Sequence, residues 1–171
     1  LQYVSLFFIF SNILTVFSII VFPDLIKKLK NFFLTNAILV IYAASLFGLS
    51  MAKSPFSAFV SMILFTVSSN LIWINMDVLV ENFSKNSSTG KTRTTYFTFI
   101  NLGWIFAPTL SSYLIDLGNY QLPFLVAAFL TIPVFFIFFY QSSRLEDKTK
   151  YDKAKITTVI KKTWKNKNLR G

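Results

Sequence analysis

The 171-residue sequence is 54% hydrophobic, only 14% charged and has a mean hydropathy of +0.56, more apolar surface than one ordinary soluble domain can bury. Its net charge of +10 does not point to nucleic acid, because the cations fall in the gaps between apolar runs instead of covering a polar surface. With neither Cys nor His, the chain excludes disulfides, thiolate catalysis, His- or Cys-based metal sites and His proton switches.

A bilayer's hydrocarbon core is about 30 Å thick and a spanning helix needs about 20 mostly apolar residues. Five runs meet that test: about Leu1–Phe22, Phe32–Met51, Phe56–Val80, Thr95–Leu117 and Leu122–Tyr140. The first carries Ser11, Thr15 and Ser18 at helical spacing, small hydroxyls that commonly join membrane helices. Asn12 sits beside them near mid-depth. Its amide would be unmatched in lipid, so it contacts either a neighbouring helix or a ligand. The second run has Thr35 and Asn36 near its start, then Ala43, Ala44, Ser45 and Gly48, which permit close backbone approach.

The third run places Asn70, Trp73, Asp77 and Glu81 at three- and four-residue steps, one polar helix face on an otherwise apolar segment. A carboxylate near a helix centre costs about 2.5–3.5 kcal/mol on insertion scales. Asp77 is therefore expected to look into protein or a wet cavity and to pair with a cation. The polar hairpin that follows carries Lys85, Lys91 and Arg93. The fourth run holds Asn101, Gly103, Trp104, Pro108, Ser111 and Ser112, and Pro108 is expected to bend it by removing a backbone donor. The fifth is nearly continuous Leu, Val, Ile and Phe apart from Thr131 and Pro133, and suits a helix facing lipid over much of its surface. From Gln141 onward a charged spacer leads to Ile156, Val159, Ile160 and Trp164 among lysines, the pattern of an amphipathic helix lying on the inner membrane surface.

Cations set the orientation, since Lys and Arg stay on the cytoplasmic side. The first connection has Lys27, Lys28 and Lys30, the second only Lys53, the third Lys85, Lys91 and Arg93, the fourth none, and the tail the remaining 10 of 17. This alternation puts residue 1 outside and the tail inside. Buried helices of a soluble protein would not produce it. Leu1 begins within an apolar run, so the sequence reads as an internal piece of a longer polypeptide. No nucleotide-binding G-x-x-x-x-G-K-[ST] loop, D-D-x-x-D, H-E-x-x-H or G-x-S-x-G pattern occurs, which speaks against an enzyme; no cofactor or metal is expected. A polytopic bundle with a few intramembrane polar groups is how a secondary transporter builds its pathway.

The residues resemble the major facilitator superfamily over essentially the whole length, as helices two to six of its N-terminal bundle. The family's loop between helices two and three reads G-x-L-x-D-R-x-G-R-R; the stretch Pro23–Phe32 keeps Leu25 and a basic Lys28, while the family's aspartate falls on Lys27 and its second glycine on Lys30. The family commonly places an arginine before its fifth helix, where Arg93 stands. Many exporters of the family carry G-x8-G-x3-G-P-x2-G-G in that helix, and the positions here read Thr94, Gly103, Ala107, Pro108, Ser111 and Ser112.

The resemblance implies an all-α polytopic membrane bundle (residues 1–140) with a cytoplasmic basic linker bearing an amphipathic helix (141–171). Its partners would be the lipid bilayer, a small-molecule substrate, and a first helix and C-terminal six-helix bundle of the same polypeptide, with no nucleic acid. It further implies a secondary active transporter of a small solute by alternating access, in a plasma membrane of bacterial type. In that reading Asn12, Asn70, Trp73 and Asn101 line the cavity and Asp77 is the proton or ion partner. Asp24, Lys27, Lys28, Glu81 and Arg93 form a cytoplasmic gate, and Gly103 and Pro108 supply a helix bend. The alternative is a non-transport membrane scaffold or assembly factor in which the same polar groups only hold helices together. Asn70 discriminates between the two, because only a transporter's solute would protect it.

Overall fold

A computed structural model describes residues 2–84 and 89–142, and all regular structure among them is helical. In chain order the helices are α1 (Gln2–Leu29), α2 (Asn31–Ser50), α3 (Pro55–Phe83), α4 (Thr89–Leu117) and α5 (Leu122–Ser142). All five are long and apolar enough to cross a membrane. The expected tail helix around Ile156–Trp164 lies outside the described residues.

Two boundaries differ by more than three residues from the sequence expectation, both at the expected cytoplasmic end. The first span was expected to stop at Phe22, before a polar loop, yet α1 runs through Pro23 and ends at Leu29, so Lys30 alone links it to α2. Pro23 lacks the donor for one helical bond, but Phe22 and Ile26 close into a core with Leu34 and Ile38 of α2. Leu71, Ile72 and Ile74 of α3 pack against the same cluster, and this three-helix contact keeps the last turns of α1 wound. Similarly, α4 begins at Thr89, not Thr95, with the hydroxyls of Thr94, Thr95 and Thr98 each donating to the carbonyl four residues back.

The one-residue turn is made at a cost. Lys30 has φ 62° and ψ 151° and is the only non-glycine with positive φ among the described residues. That region is essentially reserved for glycine and strains other residues by about 1–3 kcal/mol. In contrast, the α2–α3 connection is relaxed. Ser54 caps α3 by accepting from the Ser57 backbone N–H at 3.2 Å, Ser57 reciprocates, and Pro55 follows at the first helical position.

In the bundle α2 is central, packed along α3 on one side and α5 on the other, while α1 lies on α3. Aromatic pairs mark each seam: Phe7 with Phe59 between α1 and α3, Tyr42 with Phe65 between α2 and α3, and Phe47 with Phe129 between α2 and α5. The small residues of α2 allow these approaches. A Cβ on Gly48 would stand 2.5 Å from Oγ and 3.2 Å from Cβ of Ser61. Because the Ser61 hydroxyl can turn away, Gly48→Ala should cost at most about 1 kcal/mol, whereas Gly48→Leu should force α2 and α3 apart at about 1–3 kcal/mol. Unfolding of the two variants in detergent micelles checks this, and equal stability would place no close contact there.

α5 behaves as a lipid-facing helix should: Ala128 and Thr131 are buried and most of the remainder is exposed. α4 stands apart. Among the described helices it touches only its chain neighbours α3 and α5, and every residue from 101 to 110 is exposed.

Candidate transport-pathway face

The packed and unpacked sides of α1 sort its polar residues. Ser11 and Thr15 are buried, and the Ser11 hydroxyl donates to the Phe7 carbonyl at 2.8 Å, so the hydroxyl stripe is a helix contact. Asn12 lies on the other side, exposed, and donates Nδ2 to the carbonyl of Phe8 at 2.8 Å. Two further asparagines do the same. Asn70 donates to Thr66 O and Asn101 to Phe97 O, both at 2.8 Å and both from exposed positions.

These three amides lie near the middles of their helices. At 1.5 Å per residue, Asn12, Asn70 and Asn101 lie about 5, 2 and 3 Å from the midpoints of α1, α3 and α4. Each is therefore near mid-helix, on a side that no other helix covers among the described residues. Bonding back to its own helix satisfies one amide hydrogen and leaves a carbonyl oxygen and a second hydrogen with no partner among the described residues. Lipid cannot supply those partners. The structure does not bring the three into mutual contact, as α1 and α4 do not touch.

The α3 face is arranged as its spacing predicts. Asn70 and Glu81 are exposed, Trp73 is 38% exposed and Asp77 is half-buried. Asp77 meets Arg93 across the hairpin, Oδ1 to Nε at 3.5 Å, with both side chains about half exposed. Tyr96 on the next turn of α4 lies within electrostatic reach of the same carboxylate. The pair sits about 9 Å from the end of α3 and 6 Å from the start of α4, nearer the helix ends than their centres.

The remaining gate residues are not joined to it. Lys27, Lys28 and Glu81 are exposed and make no ion pair among the described residues. Asp24 is half-buried on α1 beside Leu25 and takes part in an interaction of its own. Gly103 and Pro108 lie inside an unbroken, uncovered α4, and a Cβ on Gly103 would meet nothing.

A second polar cluster escaped the sequence reading. Asn75 is wholly buried on α3 and donates Nδ2 to Oγ1 of Thr35 on α2, whose own hydroxyl donates to the carbonyl of Asn31 at 2.8 Å. Asn31 and Asn36 are buried on α2 nearby in sequence. Asn75 lies five residues from Asn70, about 140° around the helix, on the packed side. The signal available was that Asn75 falls off the polar face while remaining polar inside an apolar run.

Among the described residues no group of three or more metal-ligating side chains forms. No curated protein and no solved structure matches the chain. A family model does: that of the Major Facilitator Superfamily, over residues 1–169. With that match extending over nearly every residue and five helices long and apolar enough to cross a membrane, the chain is a multi-pass membrane protein belonging to the Major Facilitator Superfamily of transporters.

Proposed function

We propose that the protein is a secondary active transporter that moves a small solute by alternating access, with Asn12, Asn70, Trp73 and Asn101 contributing to the solute-facing wall. The observation that carries this is the exposure of three amides near the middles of their helices, because a scaffold would bury such groups between its helices, as this chain does with Asn75 and Thr35. Asp77 is the coupling partner or gate charge, held by Arg93 at the cytoplasmic end. Lys27, Lys28, Asp24 and Glu81 are the groups available to complete the gate in another conformational state. A wall needs an opposing wall, so the uncovered polar sides of α1, α3 and α4 work against further membrane helices, a preceding helix and a second bundle of the same polypeptide. The membrane is of bacterial plasma-membrane type, with the Lys28 turn and the tail inside.

The chain has no native cysteine, so single introduced ones report cleanly. A cysteine at Asn70 should react with a small thiol reagent and be protected by transported solute; protection unaffected by any solute that the cells accumulate would remove Asn70 from the pathway. In intact cells, cysteines at Lys53 and Asn119 should react with an impermeant reagent and one at Lys28 should not. The reverse pattern would invert the topology.

A further inference from the structure

The α1–α2 turn combines features that neither the gate nor the packing accounts for together. Lys27, Lys28 and Lys30 are all exposed and form no ion pair with any acid among the described residues. Leu29 and Phe33 flank Lys30 and are 39% and 60% exposed, so apolar and cationic side chains leave the same corner together. Lys27 and Lys28 occupy the last turn of α1, where a cation also complements the helix C-terminus. Lys30 has no such explanation. It is outside both helices, in a backbone conformation that glycine would adopt without strain.

We propose that this corner is a binding site for anionic phospholipid, with Leu29 and Phe33 among the acyl chains and Lys27, Lys28 and Lys30 on the headgroup phosphate. The division is the one that interfacial segments use, apolar side chains below and lysines reaching the headgroups above. A one-residue turn keeps the three ammonium groups within the reach of a single headgroup cluster, and the strain at Lys30 places the third charge at the tip. Each lysine near an anionic surface contributes about a fivefold gain in binding. The three together correspond to about a hundredfold preference over neutral lipid. The site rests only on the chain being embedded in a membrane and is independent of whether it carries solute.

The test compares the full chain in nanodiscs of phosphatidylcholine alone with nanodiscs of equal parts phosphatidylcholine and phosphatidylglycerol, reading retained lipid by native mass spectrometry and stability by thermal unfolding. The wild type should retain phosphatidylglycerol and be stabilised by it, less so at high salt. Lys30→Gly separates charge from strain: in phosphatidylcholine it should unfold later than wild type, while its retention of phosphatidylglycerol falls about fivefold. Adding Lys27→Gln and Lys28→Gln should abolish retention, and Lys53→Gln on the opposite side should leave it intact. Equal retention of both lipids by the wild type would overturn the site. So would an equal loss with Lys53→Gln, since the effect would then be diffuse charge, or undiminished retention by Lys30→Gly.

Discussion

Asp77→Asn should reduce solute uptake by the protein more than tenfold, and Glu81→Gln should reduce it less. The two acids lie one helical turn apart on the same face, so the contrast isolates environment from position. Glu81 is exposed with no ion pair among the described residues, and substitutions at such sites fall within about 0.5 kcal/mol. Asp77 is half-buried near the end of α3 and faces Arg93 at 3.5 Å. If the pair only fastened the hairpin, its loss would be worth about 0.2–1 kcal/mol, the range of partly exposed ion pairs, and uptake could fall no more than about fivefold. A larger loss requires that the charge act in the transport cycle. Arg93→Gln should then reproduce the defect, and exchanging the two residues should restore stability of the hairpin without restoring uptake. Uptake near the native level in Asp77→Asn would remove the residue from the mechanism.

Hydropathy alone located all five helices, because each needs an apolar stretch of bilayer length and little else. The polar face of α3 was legible because a regular three- and four-residue step survives any packing arrangement, whereas that step leaves Asp77 a choice between Arg93 and the lysines of the first connection, which the structure resolves as Arg93. The α1–α2 turn was not legible. Pro23, Asp24 and the lysines carry every compositional mark of a loop, and only the burial of Phe22 and Ile26 against α2 and α3 overrides it. The packing partners were equally hidden. α2 is apolar on all sides, so nothing in its pattern says that α3 and α5 flank it or that α4 stays clear of it. Thr35 and Asn36 are buried as packing residues should be, but Thr35's partner Asn75 lies off the face to which periodicity points.

Asn75→Asp should destabilise the protein by about 3–5 kcal/mol, the cost of an uncompensated charge in a buried site, although the substitution changes almost no volume. Asn75 is fully buried between α2 and α3 and its Nδ2 donates to Oγ1 of Thr35. A carboxylate there loses that donor, and the Thr35 hydroxyl could turn toward it only by releasing the Asn31 carbonyl. The amide's Oδ1 meets no protein donor among the described residues, so the site is already only half satisfied. It follows that an apolar replacement of similar size is tolerated: Asn75→Leu should be within about 1 kcal/mol of wild type, because both amide groups leave together. Thr35→Val, by contrast, should cost about 1–2 kcal/mol in the native background, where it strands Nδ2, and much less with Asn75→Leu. That coupling, read by unfolding in lipid nanodiscs, assigns the energy to the bond and not to either side chain. Asn70→Asp on the uncovered side is the control and should cost far less, since a charge there can reach water through a pathway. If Asn75→Asp and Asn70→Asp proved equally mild, the α2–α3 seam would be as wet as the face of α3, and the division between a packed polar lock and a solute-facing wall would fail.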